Sequence, residues 1–173
     1  MGVVDEIGHA MRLRGLRRRR RDDDGAAAVE FALVVVPLLY IVFGVISYGY
    51  MLSFRQSISQ AAAEGARAAA VTPGGVSNPD LLASAQAAIN DALSSYAVTC
   101  ASTSGADGSL THDGDPAGTC EVELLDECTG FDAAQCVKVS LNYTYGDDSL
   151  LPDVGYGYVM PDNLSFSSEV RVS

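Results

Sequence analysis

The stretch Ala26–Leu52 reads AAAVEFALVVVPLLYIVFGVISYGYML, and Glu30 is its only charged residue. At 1.5 Å per residue a helix of these positions is about 40 Å long, against a hydrocarbon core of about 30 Å. That is the length of a membrane span. A secretory signal would have an apolar region of only about 7–15 residues ending at a small-residue cleavage site. Here the run is longer and leads straight into a further helical pattern.

Charge is divided across this span. Seven of the eleven Lys and Arg residues precede it, as Arg12, Arg14 and Arg17–Arg21. Residues 72–173 carry fifteen acids against Lys138 and Arg171, thirteen excess negative charges. The positive-inside rule therefore puts Met1–Asp24 in the cytoplasm and the chain after about Arg55 outside. Tyr48 and Tyr50 then fall near the outer headgroups. So acidic a domain repels phosphate backbones, which argues against a nucleic-acid partner.

Cys100, Cys120, Cys128 and Cys136 all follow the span. An oxidising exterior would pair them into two disulfides, and three connectivities are possible. Cys100 with Cys120 and Cys128 with Cys136 is the pairing we favour, closing one polar loop and one short hairpin. Zinc fits poorly, because there is no CxxC pair and the spacings of 20, 8 and 8 match no common zinc module.

Working outward, Ser53–Val71 (SFRQSISQAAAEGARAAAV) places Ile58, Ala62, Gly65 and Ala69 on one helical face, so the span continues as an amphipathic helix to Val71. Thr72-Pro73-Gly74-Gly75 stops it. Asn78-Pro79-Asp80 opens a second helix with Leu82, Ala85, Ile89 and Leu93 as its stripe, running to about Tyr96. Cys120–Leu125, Cys136–Tyr145 and Leu164–Val172 show the alternation or β-branched content of strands, whereas 102–119 is rich in Gly, Asp, Ser and Thr and reads as loop. The expected architecture is α+β: a long N-terminal transmembrane helix, a second amphipathic helix and a small antiparallel sheet with disulfides. The expected divisions are a basic leader (1–25), the transmembrane helix and its outer continuation (26–71), a linker (72–79) and an exterior domain (80–173). The leader, with its RRRRRDDDG run, reads as solvated, irregular chain.

Glu30 stands out, since an ionisable group within a span is a functional hypothesis by default. Near the cytoplasmic edge, snorkelling lowers its cost. Pro37 frees one helix carbonyl and is read as a kink. Gly49 and Ser53 have the spacing of small residues that let two helices approach. No catalytic pattern emerges: His112 lies among Asp, Ser and Gly without a G-x-S-x-G context, so no enzyme and no cofactor are expected. Asp107, Asp113 and Asp115 supply oxygen ligands suited to calcium, but their spacing misses the EF-hand pattern.

Basic residues, then Gly25, then AAAVE, then an apolar helix is the arrangement of type IV pilin-like precursors. More specifically, G-A-x-x-V-E-F-A-L at Gly25–Leu33, Pro37 early in the span and A-x-E-G-A-R at Ala62–Arg67 resemble the TadE-like family of tight-adherence (Flp-type) pilus assembly proteins, regarded as pseudopilins or minor pilins. The resemblance is close over residues 17–71. Asp22–Asp24, between the arginines and Gly25, depart from the family pattern. The resemblance implies a prepilin peptidase cutting between Gly25 and Ala26, which leaves 148 residues. It also implies other pilin-like subunits as partners through the N-terminal helix, in the bacterial inner membrane and the pilus. Cleavage creates an α-amino group at Ala26, and Glu30 can pair with that group on a neighbouring subunit, so that neither charge stays alone in lipid. The competing reading is a permanent single-pass anchor whose outer domain binds a ligand or cell-envelope partner.

Overall fold

The computed structural model describes residues 3–73, 80–102, 107–130, 135–146, 150 and 160–172. Its elements are α1 (Val3–Ala70), α2 (Asp80–Leu93) with a 3-10 turn at Ser94–Tyr96, and five strands: β1 (Val98–Ser102), β2 (Asp107–His112), β3 (Asp115–Leu125), β4 (Cys136–Tyr143) and β5 (Leu164–Arg171). The strands form one antiparallel sheet in the order β1-β2-β3-β4-β5. The α+β architecture is the one the sequence predicts. The chain divides into two compact units, Met1–Ile46 and Ser47–Ser173.

Two expectations need correction. The leader backbone is helical from Val3 rather than irregular. Arg, Leu and Met are good helix formers, no proline precedes Pro37, and extending a helix that already exists avoids the cost of nucleation. The second correction concerns 102–119, read as loop: it contains β2 and the first part of β3. β2 adds only Leu110 to the described core, so its strand character leaves little apolar alternation to detect. It is held by pairing, with Ser109 opposite Thr119 and Leu110 opposite Gly118, and its register shifts at a bulge between Leu110 and Thr111. Gly118 is required there. Its φ is +154°, and a Cβ at that position would run into the Asn142 carbonyl of β4.

In the second unit, one face of the sheet is apolar. Val137, Val139, Leu141 and Tyr143 of β4 point inward with Cys120 and Val122 of β3 and Leu164 of β5, all buried. Met51, Phe54, Ile58, Ala61, Ala62, Ala66 and Ala69 of α1 complete the core with Leu81, Ala85, Ile89 and Leu93 of α2. Leu81 rather than Leu82 heads the α2 stripe, because 81, 85, 89 and 93 keep a strict four-residue step; Leu82 is half-buried. The opposite sheet face is polar, with Thr119, Glu121, Ser140, Asn142, Ser165 and Ser167 around an open concavity.

Two disulfides link Cys100 to Cys120 and Cys128 to Cys136. The first joins β1 to β3 across β2. Closing loops of 20 and 8 residues restricts the unfolded chain by about 3 and about 2.5 kcal/mol respectively. Asn90 of α2 secures the outer edge of β1: the Cys100 N–H donates to Asn90 Oδ1 (2.6 Å), and Asn90 Nδ2 donates to the Cys100 carbonyl (3.2 Å). Backbone groups that an edge strand leaves open are thereby satisfied within the chain.

Glu169 latches the short disulfide hairpin onto β5. The Thr129 N–H (2.6 Å) and hydroxyl (2.8 Å) donate to its two carboxylate oxygens. These bonds, backbone first, hold the carboxyl below the ordinary glutamate value, with help from Lys138, its cross-strand partner.

Two predictions follow from this packing. A Cβ at Gly65 would lie 2.7 Å from Ile89 Cγ1 and 3.5 Å from the Ala85 carbonyl, so α1 and α2 meet there without room for a side chain. Gly65→Leu should lower the stability of the detergent-solubilised chain by about 1–3 kcal/mol, with exposed Ala63→Leu within about 0.5 kcal/mol of wild type; equal midpoints in urea for the two variants would refute the close approach. The second concerns pH. Because the native carboxyl of Glu169 titrates below the unfolded one, its contribution is complete above the unfolded value, about 4.3, and is lost as pH falls through the lowered native value. Glu169→Gln should therefore flatten the acid limb of the stability profile, and parallel limbs in wild type and variant would count against the latch.

Candidate assembly segment

The residues singled out for processing and assembly lie on the exposed stretch Gly25–Pro37 of α1. Gly25, Ala26 and Glu30 are all exposed, and a Cβ at Gly25 would meet nothing within 4 Å. Around Glu30 the helix presents apolar side chains outward, among them Phe31 (68% exposed) and Leu33 (71%). Its most apolar 18-residue window has a mean hydropathy of 2.6, and none of that window is buried in the chain. A core helix of a water-soluble domain would bury such a surface; this one is left to meet lipid. Pro37 lies inside α1. Its missing N–H leaves the Leu33 carbonyl without the usual partner one turn on.

Beyond the span, α1 changes character. From Met51 onward every buried residue lies on one face, which includes the predicted Ile58, Ala62, Gly65 and Ala69. That periodicity also reaches back to Phe54, which the sequence reading missed although it sits four residues before Ile58. Phe54 is fully buried among Tyr143 (4.8 Å between ring centroids), Tyr96 (5.0 Å) and Tyr145 (6.2 Å). Burial, and secondarily Tyr50, pushes the Tyr145 phenol above its ordinary value. Ser53 donates to or accepts from the Tyr96 hydroxyl at 2.8 Å. The Gly49/Ser53 pair is thus partly taken up within the chain, while Gly49 stays exposed.

Within A-x-E-G-A-R, the motif divides by face. Ala62, Gly65 and Ala66 are buried, whereas Glu64 and Arg67 are exposed. Packing accounts for the small residues, and among the described residues no ion pair involves the two charges.

The calcium idea does not survive the fold. Asp113 and Asp115 flank the β2–β3 turn, but Asp107 begins β2 at its other end, roughly 17 Å away at strand rise. His112 ends β2, with Nε2 3.7 Å from Asp113 Oδ2. Zinc ligation is also closed off, since all four cysteines are in disulfides and the sulfurs near Glu169 are not thiolates.

No curated protein and no solved structure matches the chain. A protein-family model described as TadE-like protein matches residues 25–67, from the glycine at the head of the apolar run to the arginine that ends A-x-E-G-A-R. The matched segment takes in the exposed apolar helix and the face that packs into the C-terminal domain, and it is over this helix that the chain is similar to TadE-like proteins.

Proposed function

We propose that this chain is a pilin-like structural component of a tight-adherence pilus, made as a precursor and cut after Gly25 by a prepilin peptidase. The observation that carries this reading is the order Gly25, Glu30, exposed apolar helix, with the TadE-like match beginning at Gly25 itself. The arginine-rich leader faces the cytoplasm, and the acidic disulfide-bearing domain lies outside. Oxidation of all four cysteines agrees with that side.

Glycine suits a cut within a helix. A peptidase needs the chain locally extended, and Gly weakens a helix by about 1 kcal/mol relative to Ala while presenting no side chain to the enzyme. After the cut, Ala26 carries an ammonium group and Glu30 a carboxylate, both at the start of an apolar rod. Each is costly in lipid alone. Pairing Glu30 of one subunit with the new amino terminus of the next neutralises both charges and fixes the stagger between the rods. Pro37 gives the upper part of the rod a kink with which to follow its neighbours.

N-terminal sequencing of the chain from cell envelopes should return AAAVEF, beginning at Ala26. Recovery of only Met1 or Gly2 would favour a permanent anchor. Gly25→Leu should leave the full 173-residue precursor in the membrane. Losing one partner of a buried ion pair costs about 3–5 kcal/mol, so Glu30→Ala should be processed normally yet fall about tenfold or more in sheared pili. Undiminished incorporation would remove the pairing argument.

A further inference from the structure

The C-terminal domain begins packing on α1 before the apolar run has ended. Met51 is 3% exposed and Phe54 fully buried, while Leu52 between them still faces outward. Tyr50 packs edge-on against Tyr96 at 5.6 Å. The end of the apolar run, Ser47–Leu52, belongs to the same compact unit as this domain, and on the membrane-span reading Arg55 follows it near the level of the lipid headgroups. One cation is placed at that level. Arg55 is exposed, three residues beyond Leu52, and its guanidinium carbon stands 5.7 Å from the centroid of the Phe166 ring. An open concavity of about 350 Å³ adjoins it, walled by Pro161, Asn163, Leu164, Ser165 and Phe166.

The charge around this position is informative. Lys138 has Glu123 and Glu169 directly across the sheet on either side. Arg55, among the described residues, has no ion-pair partner. The nearest acidic residue in sequence along the concavity wall, Asp162, turns to Gly146: its Oδ1 lies 3.2 Å from where a Gly146 Cβ would be, and the Gly146 N–H donates to its carbonyl at 2.9 Å. Over residues 72–173 the chain carries thirteen excess negative charges, and beside them Arg55 is a guanidinium with no carboxylate paired to it among the described residues. The Phe166 ring lies within cation–π reach of this guanidinium, whose planar fork suits bidentate recognition of a phosphate.

We propose that Arg55 and the concavity formed by Pro161–Phe166 bind the phosphodiester headgroup of an anionic glycerophospholipid in the outer leaflet. Arg55 receives the phosphate oxygens, and Asn163 offers hydrogen bonds to the glycerol headgroup. The contact offsets the repulsion between an acidic domain and an anionic leaflet and fixes the domain's height on the membrane. This rests on the membrane-span reading of α1.

The test uses the full chain in nanodiscs of phosphatidylglycerol and phosphatidylcholine, followed by native mass spectrometry to count phospholipids retained on release. Wild type should retain phosphatidylglycerol, and Arg55→Gln should cut that retention about fivefold or more. Arg67→Gln, three turns further along α1, should leave it unchanged. Equal retention by wild type and Arg55→Gln overturns the site, as does displacement of the lipid by millimolar inorganic phosphate, which would identify a free-anion site instead. Alkaline carbonate extraction separates the two levels of inference. A chain released from membranes by carbonate refutes the span itself, whereas a chain that stays embedded but retains lipid independently of Arg55 refutes only the headgroup site.

Discussion

The structure depends on one helix satisfying two environments. Over Ala26–Leu52, α1 is apolar all round, which only lipid or other apolar helices tolerate, because water would meet apolar side chains on every side. Over Met51–Ala70 the same helix becomes one-sided, and the packed face is built from Ala and Gly with Met51, Phe54 and Ile58 as its large members. Small residues let the α1 backbone approach α2 closely at Gly65. Phe54 does the opposite, reaching across to Tyr143 of the sheet and Tyr96 of the 3-10 turn. Without that switch in pattern the C-terminal domain would lack one wall of its core.

Given that wall, the sheet can be asymmetric. Its inner face supplies Val, Leu and Tyr to α1 and α2, while its outer face is hydroxyl, amide and carboxylate. Asn90 bonds to both backbone groups of Cys100, and the Cys100–Cys120 disulfide ties the same residue to β3. The edge strand with the least apolar content is therefore held from both sides. Glu169 and Thr129 do comparable work for the hairpin closed by Cys128 and Cys136. Small domains with few large apolar residues commonly add cross-links in this way.

How much of this is legible in the sequence follows from which side chains carry the signal. The span is legible because 27 residues with one charge leave little alternative. β4 and β5 are legible because each alternates between a buried and an open face. β1 and β2 are not, since β2 is Asp-Gly-Ser-Leu-Thr-His and owes its strand to neighbours, a tertiary effect that local propensity does not record. Arg55 beside Phe166 is similarly hidden. Nothing in either local pattern indicates that positions more than a hundred residues apart share a surface. Helicity in the leader is hidden by its charge, although an arginine run is compatible with helix once a helix follows it.

The motif A-x-E-G-A-R shows how the two demands on α1 are kept apart. Side chains at 62, 65, 66 and 69 face the core and are confined to Ala and Gly by the proximity of α2. Glu64 and Arg67 are one turn apart on the exposed side. Stability therefore restricts one face, and whatever α1 meets outside this chain restricts the other. The same separation holds lower in the helix. Phe54 is wholly committed to the core, while its neighbour Arg55 is exposed beside the Phe166 ring. Because a helix turns 100° per residue, adjacent positions can answer to different selective pressures without compromise. A single helix can therefore be apolar all round in one stretch and one wall of a domain's core in the next.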